Sequence, residues 1–292
     1  MNLNYEADYQ PTVDEPAASR CLPGTHIEII REPPGRGGYR HALFDFDGTL
    51  SLIREGWPEV MIPMMVEILL QTPNHEPAEE LEKVVRDYVM LLTGKQTIYQ
   101  MMQLAQEVSR RGGIAADPLD YKQAYHDRLM QRIADRREAL RTGRTGPEEM
   151  LVPGALDLLD ALRGRGLALY LASGTDEVYV REEAELLGLA SFFGQHIYGA
   201  IDDYRNYSKA MVIQRILSEN RVPGEMLVGF GDAYVEIDNV KSAGGAAVGV
   251  ASDEANRSGQ PDQWKRRRLI GVGADLIIPD YRNHEALVGY LL

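Results

Sequence analysis

Apolar residues along this chain follow two different periods. Short runs that are apolar at nearly every position recur at 41–46 (HALFDF), 167–174 (LALYLASG), 195–200 (QHIYGA), 225–232 (EMLVGFGD), 245–252 (GAAVGVAS) and 274–280 (ADLIIPD). Runs of this kind predict strands buried on both faces, because a strand with one wet face would alternate apolar and polar residues. Between them, 154–166, 182–189 and 208–220 carry apolar residues three and four apart and predict helices, two of them stopping at Gly or Asn. Strand and helix in alternation predict an α/β fold with a doubly wound, parallel, Rossmann-like sheet.

The alternation breaks once. After the first strand, more than a hundred residues carry no strand signal, and helical periods occupy 58–71, 77–92, 97–111 and 117–142. Pro73, Pro77, Gly94, Gly112, Gly113, Pro118 and Gly143 separate these stretches. The pattern predicts a four-helix domain inserted directly after the first strand and seated above its end. The expected organisation is a flexible tail over 1–25, a Rossmann-like core over 26–54 and 150–292, and a helical cap over 55–149. The tail is acidic and has neither the basic head nor the apolar stretch of a secretory signal. HIEIIRE at 26–32 is a candidate edge strand or hairpin.

Composition narrows the function classes. The 292 residues are 44% hydrophobic and 26% charged, values of an ordinary globular protein. A net charge of −13 argues against nucleic acid as a partner, since phosphate-backbone binding needs a basic surface. The run KRRRL at 265–269 is too short to change this and reads as a solvated face. No apolar stretch reaches the roughly 18–20 residues that cross a bilayer. The best candidate, VMIPMMVEILL at 60–70, is interrupted by Pro63 and Glu67, so no membrane partner is expected. Cys21 stands alone and forms no internal disulfide, which agrees with a cytoplasmic protein. The sequons at Asn206 and Asn256 then read as accidental.

The polar residues gather at the carboxyl ends of the expected strands, where open α/β sheets bind ligands. Asp45 and Asp47 close the first strand, Ser173 and Gly174 the second, and Asp232 the fourth, while Lys209 opens the helix after the third. Two carboxylates one residue apart raise each other's cost of ionisation. A divalent cation held by Asp45, Asp232 and the Asp47 backbone carbonyl would offset that repulsion. The same parts suit phosphoryl transfer: Asp45 as nucleophile, Asp47 as acid and then base, and Ser173, Gly174 and Lys209 on the phosphate oxygens. Gly48 permits the tight turn.

These residues resemble the haloacid dehalogenase-like hydrolases, and within them the phosphoglycolate phosphatase-like branch with a helical cap. FDFDGT (44–49) resembles the first motif, LASGT (171–175) the second, Ser208-Lys209 the third and GFGDAYVEIDNVKSAGG (229–245) the fourth. The resemblance spans about residues 40–282 and implies Mg²⁺ as cofactor, a small phosphorylated metabolite as substrate and a cap that closes over it. It also implies an outer metal-site acid four residues after Asp232. That position is Glu236 where Asp is common, and Asp238 is the alternative. Lys241, on a later helix, reads as a surface group.

Simpler readings compete at several places. A calcium loop starting at Asp45 is excluded, because it would need Gly and Glu where Leu50 and Gly56 stand. Gly229-Phe230-Gly231 lacks the third glycine of a dinucleotide fingerprint, and Gly94-Lys95 lacks the upstream glycine of a P-loop. The histidines lack ligand spacing, so no zinc is expected. Thr93-Gly94-Lys95-Gln96 is either a specificity loop, with Lys95 meeting a second anionic group, or an exposed linker. Arg54 and Glu55 are candidates for the cleft.

The leading expectation is a Mg²⁺-dependent phosphatase acting on a sugar phosphate or phosphoglycolate-like compound. A phosphosugar mutase of the β-phosphoglucomutase type shares the motifs. A dehalogenase would not need Asp47. A non-catalytic, phosphate-responsive binding or regulatory protein is the alternative from another class. Either a monomer or a homodimer is compatible with the pattern.

Overall fold

The computed structural model describes residues 8–15, 19–201 and 203–292. Among them eight strands form one sheet. They are β1 (Arg20–Cys21), β2 (Glu28–Ile29), β3 (His41–Phe44), β4 (Ala168–Asp176), β5 (Ile197–Ala200), β6 (Leu227–Gly231), β7 (Ala246–Val250) and β8 (Leu276–Ile278). Their order across the sheet is β1-β2-β8-β7-β6-β3-β4-β5. Strands β3 to β8 pair in parallel, and β1 and β2 form an antiparallel margin against β8. The sheet is therefore the α/β, Rossmann-like one expected, and the run at 26–32 contributes β2, one arm of the hairpin at its margin.

Both faces are covered, which is why the strands read as continuous apolar runs. Ala42 and Phe44 pack into one core with Leu171, Phe230 and Val248, whereas Leu43 packs into the other with Tyr170, Leu227 and Ala247. Helices α5 (Ala155–Gly164), α6 (Glu177–Leu186), α7 (Ala190–Phe193) and α11 (His284–Leu291) cover the first face. The second is covered by α8 (Lys209–Asn220), α9 (Tyr234–Ser242) and α10 (Gln263–Gly271).

Between β3 and β4 lie α1 (Pro58–Leu69), α2 (Ala78–Leu91), α3 (Thr97–Arg110) and α4 (Pro118–Arg141). Their apolar stripes meet one another through Met65, Leu69, Leu81, Val85, Val89, Met101, Leu104, Leu129 and Ile133, all buried. Pro63 lies inside α1 without ending it.

The N-terminal segment departs from the expected flexible tail over its described residues. Thr12 and Val13 donate backbone N–H groups to the Gly271 carbonyl. Tyr9 packs edge-on against Tyr234, 5.5 Å between centroids, with the Arg268 guanidinium 4.0 Å from its own ring. Glu15 pairs with Arg266. The aromatic and charged side chains give this acidic segment a dock on α10 that its composition conceals.

Candidate functional site

Chain order places a switch point at the centre of the sheet. β3 is followed on one side by β4 and β5 and on the other by β6, β7 and β8, and crevices form at such reversals beyond the carboxyl ends of the strands. Register then sets the residues side by side. Phe44 pairs with Leu171 on β4 and Phe230 on β6, so Asp45, Ser173 and Asp232 all emerge within two residues of one level. The Phe44 and Phe230 rings stack 4.5 Å apart beneath them. The backbone N–H of Asp45 donates to the Phe230 carbonyl at 2.9 Å, holding the turn to β6.

Asp45 is only 6% exposed. The Lys209 ammonium, at the first position of α8, donates to its Oδ1 at 2.7 Å. Lys209 is buried too and also contacts the Glu236 carboxylate. Burial pushes the Asp45 carboxyl up, Lys209 opposes this, and Asp232 adds to the rise. Thr49 anchors the turn by accepting the Asp232 N–H at 3.0 Å.

Asp47 has a different environment. It accepts from Thr175 Oγ1 at 2.9 Å and faces Arg54 at 3.7 Å, and its Oδ1 is buried with no hydrogen-bond partner among the described residues. Burial pushes its carboxyl up to about 7, against the pull of Arg54 and with help from Glu183 and Asp45. Arg54 is itself held by a two-pronged pair to Glu183, Nε to Oε2 at 3.0 Å and a terminal nitrogen to Oε1 at 2.9 Å. Burial opposes charge on Arg54, but Glu183 and Asp47 outweigh it and raise its pKa.

Ser173 is buried and its hydroxyl accepts the Thr175 N–H at 3.0 Å, while its carbonyl accepts from Tyr207. Gly174 lies against the inserted helices: a Cβ there would stand 3.0 Å from the Lys95 carbonyl. From the other side Gly94, at φ +100°, approaches Ala233 so closely that a Cβ would lie 2.5 Å from the alanine methyl. The 93–97 loop thus roofs a cavity of about 110 Å³ whose walls include Asp45, Asp47, Arg54, Ser173, Lys209 and Asp232. Glu55 lines it as well.

Several expectations are corrected here. Lys95 is not on an exposed linker: it is buried, lies 4.5 Å from the Tyr99 ring centroid, and donates to Asp8 at 2.9 Å. Lys241 is not a plain surface group, since it donates to both oxygens of the fully buried Asp275. The basic run at 265–269 is no solvated face. Lys265 is turned to the site's acids, donating to Asp232 Oδ2 at 2.7 Å, Glu254 Oε1 at 2.6 Å and Ser252 Oγ at 3.0 Å, while Arg266 pairs with Glu28. Burial opposes the charge on Lys265, and Asp232 and Glu254 overcome it and raise its pKa. Lys265, Glu254, Glu183 and Thr49 are site residues that motif spacing missed. The available signal was position: α10 starts just beyond β7, on the edge where the ligands gather.

The candidate metal acids divide. Among the described residues, no group of three His, Cys, Asp or Glu side chains has metal-binding geometry. Glu236 is turned to Lys209, and Asp238 is half-buried with its carboxyl raised by burial. The donor chemistry nonetheless suits a hard divalent ion: Asp232 lies close enough to Asp45 and to Glu254 to raise the charging cost of both, and hard cations take such oxygens. Gly48 forms a cradle there, at φ +72°, and a Cβ on it would lie 2.2 Å from Asp232 Oδ2.

Comparisons with known proteins bear on the fold and the family. A 5'-nucleotidase of Pseudomonas aeruginosa is 29% identical over 121 residues, 40% of this chain. The match spans 54% of that relative's length, about half. The crystal structure of a predicted phosphoglycolate phosphatase from Haemophilus somnus 129pt superposes with a TM-score of 0.56 at 14% identity, covering 86% of this chain and 98% of its own. A β-phosphoglucomutase from Clostridium difficile superposes with a TM-score of 0.53 at 12% identity, covering 84% of this chain and 92% of its own. At such identities the structures speak for the fold. The family profile of the haloacid dehalogenase-like hydrolases matches residues 39–244, from the strand before Asp45 through the helix after Asp232, and the chain belongs to that family.

Proposed function

We propose that this protein is a Mg²⁺-dependent phosphatase that hydrolyses a small phosphomonoester through an aspartyl-phosphate on Asp45. The observation that carries the reading is the unequal pair at the end of β3. Burial raises both carboxyls; Asp45 meets the ammonium of Lys209 at 2.7 Å, while Asp47, two residues on, faces Arg54 only at 3.7 Å and is raised to about 7. In this reading one carboxylate attacks and the other holds or releases a proton near neutral pH.

In the first half-reaction an Asp45 oxygen forms a bond to phosphorus as the bond to the leaving oxygen breaks, and protonated Asp47 gives that oxygen its proton. In the second, ionised Asp47 takes a proton from water, the water oxygen bonds to phosphorus, and the bond to Asp45 breaks. Inorganic phosphate leaves and Asp45 returns as a carboxylate. In this reading Lys209 and the Ser173 hydroxyl bind phosphoryl oxygens, with the Gly174 amide beside them. Asp45, Asp232 and the Asp47 backbone carbonyl would hold the divalent ion, with Glu254 or Glu236 behind them. When bound, that ion offsets negative charge on the carboxylates and the phosphoryl oxygens.

The small roofed cavity favours a compact ester over a polymer. The inserted helices act in this reading as a cap over 55–149, with the 93–97 loop choosing the substrate. Phosphate release across a panel of sugar phosphates, phosphoglycolate and nucleoside 5'-monophosphates, with Mg²⁺, tests the proposal. Turnover of at least one ester, lost in Asp45→Asn, is expected. Silence across the panel, or full activity in Asp45→Asn, would refute it, and a hexose 1-phosphate isomerised without free phosphate would make the enzyme a mutase.

A further inference from the structure

The loop after β7 and the start of α10 bring a further lysine, Lys265, against two acids that line the cleft, from outside residues 39–244 that match the family. Lys265 joins Asp232, Glu254 and Ser252 by three short contacts, and its side chain is 12% exposed. Ser252 in turn donates to the Gly48 carbonyl at 2.6 Å, so this network is tied to the turn that carries Asp45 and Asp47. Two lysines divide these acids between them. Lys209 serves Asp45 and Glu236, and Lys265 serves Asp232 and Glu254.

We propose that Lys265 is a built-in counter-cation: it holds Asp232 when no divalent ion is bound, competes with that ion for the carboxylate, and so sets its affinity. The inference rests on the cation-binding role proposed for Asp232. An ammonium at 2.7 Å and a divalent ion cannot both draw the full charge of one carboxylate oxygen. Lysine suits the exchange because its charge sits at the end of a flexible stem with three rotatable donors. Glu254 gives it somewhere to go. A lysine that leaves Asp232 but keeps Glu254 never becomes an unpaired buried charge, the state that makes breaking such pairs costly.

The test measures ion binding without turnover. Full-length protein stripped with a chelator is titrated with Mg²⁺ and with Mn²⁺ by calorimetry, comparing wild type, Lys265→Met, Lys265→Gln and Lys265→Arg. The two neutral variants are expected to bind the ions about tenfold or more tightly, because a positive charge beside the site is gone. Lys265→Arg, which keeps the charge, is expected to bind as wild type. Metal-free Lys265→Met should melt below wild type, and saturating Mg²⁺ should close the gap. Unchanged or weaker binding in both neutral variants would make Lys265 a structural strut and overturn the inference alone, as would an Arg variant as tight as the neutral ones. Absence of binding in every protein, wild type included, would overturn the cation reading of Asp232 as well.

Discussion

Asp47→Asn offers a sharp test that needs no substrate. The Asp47 carboxyl rises from 3.8 to about 7 on folding, about three pH units, because the folded chain buries it beside Glu183 and Asp45. A carboxyl with a raised folded pKa keeps its proton in the folded state after losing it in the unfolded one. Folding then takes up a proton between about pH 4 and 7, and stability falls as pH rises through that window. Three units correspond to at most about 4 kcal/mol. The side chain retains 28% of its exposure, so solvent screens the charge, and about 2 kcal/mol is the more realistic figure. Asparagine is isosteric, can still accept from Thr175, and carries no charge. In chelator-containing buffer the variant should therefore match wild type near pH 4, gain on it as pH rises, and stand about 2 kcal/mol above it from pH 7.5 upward. Urea denaturation at a series of pH values reads this directly from the midpoint. Equal stability of the two proteins at pH 8 would show that Asp47 titrates as an ordinary carboxyl, and its proposed double duty as acid and base near neutrality would lose its physical basis.

Other perturbations test neighbouring parts of the site. Arg54→Met leaves the fully buried Glu183 without its counter-charge and should cost about 3–5 kcal/mol in chemical denaturation; a loss below about 1 kcal/mol would mean that water or another group replaces the guanidinium. Gly94→Ala places a methyl 2.5 Å from that of Ala233 at a φ of +100°, so the roof loop must shift. KM should rise several-fold and the melting temperature should fall, because alanine is strained at this φ, and an unchanged KM would show that the loop does not meet the substrate. Chelation should abolish phosphate release and Mg²⁺ restore it, whereas turnover that survives exhaustive chelation would contradict cation assistance.

The parallel sheet was legible because burial on both faces leaves a local trace. Leu43 and Phe44 point to opposite cores, so neither position can be polar, and a continuous apolar run results. The four inserted helices were legible from their stripes and from the prolines and glycines between them. The meeting of Asp45, Asp47 and Asp232 at one sheet edge was legible because the chain marks the end of each buried strand with a turn. Lys265 was not. Within KRRRL its neighbours Arg266 and Arg268 meet Glu28 and Tyr9, and only the tertiary packing of α10 sets Lys265 against Asp232 and Glu254. Glu183 was hidden for the same reason, as one acid among several on α6, turned to the interior by a guanidinium 129 residues away in sequence.

By itself the sequence determined the kind of chemistry and the frame that holds it, since residue type, spacing and hydrophobic period act over a few neighbouring positions. Tertiary structure alone decided how charge is balanced in the cleft: which lysine meets which acid, which carboxyl keeps its proton, and which loop forms the roof. Those outcomes depend on distances between segments far apart in the chain, and electrostatic energy depends on distance and burial, which no local pattern encodes.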